Sequence, residues 1–448
     1  MKALITNALV FAGGELNRGW LLTDGERIAA MGNGDPAASV VDVADNIRDA
    51  GGAMLLPGLI DTHVHFREPG LTRKATIASE SRAALAGGIT SYCEMPNTVP
   101  PTCSRVELDR KMEIAARDSV ANYAFFPGAS GNNLEFLESL DTAEVPGIKL
   151  FIGSSTGNMA VAGMENLEAV FRIAAEKGLP VMVHAEDDAI IAANAARARE
   201  EAGEGEVDIA LHSDIRSAKA CLKASALAVR LAEKFGTRLH IAHVTTADEV
   251  DSLLSAGPTS SKRVTAEVTP LHLVFTKDDY PALGSRIKVN PAAKTVSDRE
   301  RLHEALADGE IDTIGTDHAP HLLSEKEGGA LRAASGAPMA QFAMPLLLRE
   351  LGPGLLVARM AEAPAQLFGI RDRGSLKPGN FADFVLVREV PEYTVADSDV
   401  LSPCGWTPLV GQKLHHRVVE TWVNGSCAYA DGRFSDKLSS KPLEFEHP

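Results

Sequence analysis

Between residues 56 and 317 the chain repeats one pattern: a short apolar run bounded by Gly, Pro or charged residues, then a longer stretch with apolar positions every three to four residues. The short runs predict strands at 56–66, 89–95, 121–126, 147–152, 180–184, 238–244, 263–268 and 311–317. Amphipathic helices are predicted between them, most clearly over Asn166–Lys177 before Gly178 and Ser217–Phe235 before Gly236, with glycine in the usual stop position. Regular strand–helix alternation argues for a parallel sheet. Eight such units over roughly 300 residues favour a closed (β/α)8 TIM barrel over an open doubly wound sheet. The two ends read differently. Residues 1–55 form short strands around Gly13-Gly14, Asp24-Gly25 and Gly32-Asn33-Gly34, and the last seventy or so residues have the same texture. The expected organisation is therefore a barrel over 56–368, inserted into a small β-sandwich domain built from 1–55 and 369–448.

Composition narrows the function classes. A formal net charge of -16 without a Lys/Arg block argues against a nucleic-acid or anionic-membrane surface, so an anionic substrate would need its own local cation. The five cysteines are far apart and form no Cys-x-x-Cys pair, which predicts a reduced protein without disulfides or thiolate zinc. Met1–Asn7 leads quickly into Gly13-Gly14 with no signal-peptide core, and no apolar run is long enough to span a bilayer; a cytoplasmic protein is expected. No GxGxxG or P-loop follows any predicted strand.

Candidate chemistry lies where barrel enzymes keep it, at the C-terminal ends of the strands. The first strand carries His63 and His65 one pleat apart on one face. The fourth carries Lys149 inside an apolar run, the fifth ends in His184, the sixth in His243 with His240 on the other face, and the eighth in Asp317. Any one of these residues is commonly structural; their convergence on one rim is what a structural role does not explain. Imidazoles with a carboxylate and no thiolate suit Zn²⁺ or another borderline divalent ion. Six ligands exceed one tetrahedral ion and suit a pair about 3.5–4 Å apart bridged by an anion, which Lys149 would supply if CO₂ converted its amine to a carbamate. The charge runs 197–206 and 298–304, His415-His416 and the tail 435–448 read as surface, and 322–336, rich in Gly, Ser and Ala, reads as the mobile loop.

His63-Val64-His65-Phe66-Arg67-Glu68-Pro69-Gly70, Glu94-Met95-Pro96-Asn97-Thr98, Gly147-Ile148-Lys149 and Thr316-Asp317-His318-Ala319-Pro320-His321 together resemble the dihydroorotases of the amidohydrolase superfamily, over essentially the whole chain. The resemblance implies that His63, His65 and Asp317 hold one metal and His184 and His243 another, with carboxylated Lys149 and a hydroxide between them. It makes Asp317 the general acid/base, Arg67, Asn97, Asn290 and His321 the substrate contacts, and His318 a supporting residue. It further implies N-carbamoyl-L-aspartate and L-dihydroorotate as substrates in pyrimidine biosynthesis, and a homodimer without nucleic-acid or membrane partners. The chain departs from the family pattern in three places: many long bacterial members have aspartate where Lys149 stands, Ala292-Ala293-Lys294 replaces a segment with proline and arginine, and 336–341 lacks the usual glutamate-bearing loop. Related alternatives are an allantoinase or a dihydropyrimidinase/hydantoinase, against which Arg67 argues because their substrates carry no carboxylate there, and a non-catalytic scaffold, against which the full ligand set argues.

Overall fold

The computed structural model describes residues 1–153, 159–437 and 439–447. Eight parallel strands surround a common interior: Leu59–Val64, Ile89–Glu94, Asn122–Phe125, Ile148–Ile152, Val181–Ala185, Leu239–Ile241, Val264–Val268 and Thr313–Ile314. The first three form one sheet and the last five another. Isolated parallel bridges, Gly128 with Lys149 and Val64 with His318, join the two sheets edge to edge. Barrel strands are covered on both faces, which is why their sequences are apolar throughout rather than alternating. The flanking helices include Met164–Lys177 and Ala218–Phe235, each ended by a left-handed glycine, Gly178 at φ 68° and Gly236 at φ 73°.

The apolar run 56–66 is divided between two sheets. Met54–Pro57 pairs antiparallel with Phe384–Thr394 in the terminal domain, and the barrel strand begins only at Leu59. The turn between them is Gly58, where a Cβ would stand 2.2 Å from Thr90 Oγ1. Strands from both chain ends unite here in one nine-stranded sheet, as expected for a domain assembled from the two termini. Along Phe384-Val385-Leu386-Val387 the pleat sends Phe384 and Leu386 into the terminal core, where Phe384 stacks on Trp422 at 5.1 Å. Val385 and Val387 face the barrel side and join its large apolar cluster.

The tail does not behave as the surface feature expected. Residues 441–447 lie against the barrel beside the third strand: Leu443 N donates to Tyr123 O at 2.8 Å and Tyr123 N to Lys441 O at 3.1 Å. Leu443 and Phe445 are buried in one cluster with Ile60, Ala124, Met182 and Phe368. Two apolar residues in a polar tail carry too weak a pattern to announce this docking. The segment 322–336 is likewise tied down by buried Lys326, whose Nζ donates to the carbonyls of Lys288, Ala334 and Gly336.

Candidate metal centre and substrate cavity

The strand ends deliver the six candidate ligands to one cavity of about 30 Å³, lined by His63, His65, Lys149, His184, His243 and Asp317 together with Arg67, Asn97 and Asn290. Asp317 Oδ1 lies 3.0 Å from His65 Nε2 and 3.5 Å from His63 Nε2. His184 Nδ1 and His243 Nε2 face each other at 2.9 Å. These separations approach the roughly 3.3 Å between two ligands on one tetrahedral zinc. Arg67, His243 and Asp317 adopt left-handed φ values of 68°, 40° and 47°. Such backbone costs roughly 1–3 kcal/mol for a non-glycine residue and persists where the surrounding structure demands it.

Behind the imidazoles stand oxygen acceptors that fix their orientation, of which the sequence reading named only Asn97, and that as a substrate contact. Glu267 Oε1 accepts from His63 Nδ1 at 2.7 Å, and Asn97 Oδ1 accepts from His65 Nδ1 at 2.7 Å. Glu186 lies 3.3 Å from His184 Nε2 and is itself paired with Arg216. Glu267 reaches His63 because strand eight offers no side chain at Gly315, where a Cβ would meet Glu267 Oε2 at 2.2 Å. Only the position of Glu267 at the C-terminal end of strand seven could have marked it beforehand.

Burial keeps the imidazoles neutral, the form that binds metal. It pushes His63 down to about 3 and His65 to about 4, and lowers His184 and His243 as well. Burial would raise Asp317, yet His63, His65 and Lys149 hold it well below the usual carboxylate range, so it is ionised at neutral pH. Lys149 is the odd member. Its Nζ is buried with no hydrogen-bond partner, and burial lowers its pKa toward the free amine. Glu267 Oε2 and His243 Nδ1 are also buried without a hydrogen bond. Orphaned donor atoms, neutral imidazoles and one ionised carboxylate together fit a divalent cation, and His63, His65 and Asp317 form a metal-binding group typical of amidohydrolases.

Arg67 forms the opposite wall. Its Nε donates to Pro320 O at 2.9 Å and its Nη2 lies 3.0 Å from His321 Nε2; burial lowers it to about 10, leaving it charged at neutral pH. Asn290 lines the cavity with a buried Oδ1 that has no hydrogen bond. Asn97 lines it too, while its Oδ1 holds His65. His321 is placed differently from the expectation: it is not part of the lining and stands behind Arg67. Lys74 Nζ lies 3.0 Å from its Nδ1, and Ser335 O accepts from its Nε2 at 3.0 Å. Ser335 and Gly336 supply lining in its place. His318 lies outside the cavity, bonded to Glu80 and to the amides of Met339 and Ala340. His240 is held by Thr265 on the sheet.

Residues 54–427 match the amidohydrolase family. A dihydroorotase of Halobacterium salinarum is 36% identical over 393 residues, covering 87% of this chain and 88% of that protein. A dihydroorotase of Staphylococcus epidermidis is 34% identical over 448 residues, covering 96% and 99%. Among solved structures, the L-hydantoinase (dihydropyrimidinase) of Arthrobacter aurescens superposes with a TM-score of 0.91 at 26% identity over 99% of both chains. The dihydropyrimidinase of Brevibacillus agri does so at 0.88 with 24% identity over the whole of both chains, a likeness of fold.

Proposed function

This chain belongs to the amidohydrolase family, and from that premise we propose that it acts as a dihydroorotase, closing N-carbamoyl-L-aspartate to L-dihydroorotate and hydrolysing the ring amide in reverse. The observation that carries the choice within the family is Arg67, a buried guanidinium on the cavity wall with no carboxylate partner among the described residues. A planar cation in that position fits a ring carboxylate in two-pronged geometry.

The metal assignment follows the donors: His63, His65 and Asp317 for one ion, His184 and His243 for a second, and a carbamate of Lys149 between them, with zinc the element that suits imidazole and carboxylate together. Bound there, two such ions supply Lewis acidity, polarising the amide carbonyl and lowering the pKa of water. The chain's own residues do the rest. Arg67 and Asn290 fix the ring so that its amide carbon faces the ligand cluster. Asp317, ionised and held by His65 at Oδ1, takes the proton of the attacking water and returns it to the ring nitrogen as the C–N bond breaks. Glu267, Asn97 and Glu186 keep the imidazoles oriented meanwhile. In the same reading the enzyme is a cytoplasmic homodimer.

The backbone likeness to the L-hydantoinase favours a neutral cyclic amide as the second reading. Steady-state turnover of L-dihydroorotate, allantoin and dihydrouracil, on protein of measured metal content, separates the two. Turnover of dihydroorotate alone supports the proposal, and turnover of the neutral rings alone refutes it.

A further inference from the structure

Positive charge beside the cavity extends beyond Arg67. Lys326, at the end of the turn Leu323–Lys326, is buried, and its Nζ lies 3.0 Å from Lys288 O, 2.7 Å from Ala334 O and 2.8 Å from Gly336 O. Three carbonyls at that range use three N–H donors, which an ammonium has and a neutral amine lacks. Burial, then Lys288 and Arg67, push its pKa well down, and the three carbonyls act against that shift by favouring the ammonium. Lys288 is buried alongside and donates to Ala333 O. Among the described residues none of Arg67, Lys288 and Lys326 makes an ion pair. Among the other buried lysines, Lys111 is paired with Glu94 and Lys74, next to this cluster, with Glu325 at 3.2 Å, whereas Lys149 and Lys294 also lack an ion pair among the described residues.

An unneutralised buried cation is costly, and a chain of net charge -16 has carboxylates to spare. Here the missing anion is one that arrives with the substrate. Lys326 also ties together the two segments that bring Asn290 and Ser335-Gly336 to the cavity, since Lys288 O accepts from both Lys326 Nζ and Gly336 N.

We propose that Lys326 is a specificity-determining positioning residue: acting from behind the Ser335-Gly336 backbone, its ammonium and Arg67 make the cavity select a ring that bears a carboxylate over the neutral ring. It does not touch the substrate. The inference rests on the dihydroorotase reading and names how that site recognises its anion.

The test compares Lys326→Met, Lys326→Gln and Lys326→Arg in the metal-loaded protein. It reads kcat and KM for L-dihydroorotate, the inhibition constant of its neutral carboxamide, and the melting temperature. Loss of the charge raises KM for L-dihydroorotate by on the order of tenfold, with kcat changed less and the carboxamide constant within about threefold. Lys326→Gln, which keeps donors for the carbonyls but no charge, behaves as Lys326→Met, and Lys326→Arg restores the low KM. The proposal is overturned if the glutamine variant recovers wild-type KM, if acid and amide weaken equally, or if kcat and melting temperature fall while KM stays put. Wild-type protein that binds metal but does not turn over L-dihydroorotate refutes the dihydroorotase reading itself, a failure distinct from the other three.

Discussion

Glu267→Gln tests whether the oxygen acceptors behind the imidazoles govern metal binding. The carboxylate and His63 are both buried, 2.7 Å apart, with no water access to soften the change. Glutamine can still accept from His63 Nδ1, so ring orientation survives, but the carboxylate form, which burial disfavours by raising the Glu267 pKa to about 8 and Lys149 favours, is no longer there to make Nε2 a better donor. Its amide nitrogen would take the place of Oε2, which has no hydrogen-bond partner now and would leave a buried N–H unsatisfied at a cost of about 1–3 kcal/mol. Partners of this kind typically change metal affinity by about 10–100-fold, or about 1.4–2.8 kcal/mol. Titrating the apoprotein with Zn²⁺ against a fluorescent chelator reads this directly, with circular dichroism confirming the fold. An unchanged zinc affinity in a folded Glu267→Gln protein would show that the acceptor only packs the ring.

Three further outcomes follow from the same structure. Arg67→Ala should lower kcat/KM for L-dihydroorotate by about 10²-fold or more, the worth of a charge-assisted pair of about 3 kcal/mol, with bound metal unchanged by elemental analysis. Phe445→Ala should cost about 3 kcal/mol of stability by opening a void where the tail meets the barrel; a melting temperature equal to wild type would mean the tail is not docked in solution. The Arg286 hydrogen bonds hold Asp397 below its ordinary value. A depressed carboxylate stabilises the fold above its unfolded pKa and loses that contribution as pH falls through the folded value. Asp397→Asn should therefore cost up to about 1 kcal/mol at pH 7, discounted for partial exposure, and progressively less as the pH is lowered into the acid range; urea unfolding at pH 7 and at acid pH checks the sign.

The candidate ligands were legible because imidazole, lysine and aspartate are conspicuous in apolar strands, and because eight short runs fix which residues stand at strand ends. The supporting residues were not. Glu267 and Glu186 are carboxylates next to strand ends, indistinguishable in sequence from surface charge, and Lys326 sits in a Gly-, Ser- and Ala-rich stretch that reads as a mobile loop. Their meaning depends on which backbone folds over them. His321 looked like a substrate contact from its motif, yet the left-handed turn at Asp317 and the carbonyl of Pro320 leave Arg67 in front and His321 behind. The break at Gly58 was hidden by an unbroken apolar run, since strands of two different sheets share that composition.

Backbone pairing between the two sheets of the barrel is by isolated bridges at Val64–His318 and Gly128–Lys149, and the candidate ligands come from both sides: His63 and His65 from the three-stranded sheet, Lys149, His184, His243 and Asp317 from the five-stranded one. An ion bound by ligands from both sheets would couple its binding to closure of the barrel in one linked equilibrium. Whatever free energy an ion gains by drawing ligands from both sheets is added to the cohesion of the seams, and chelation removes it from the fold as well as from the chemistry.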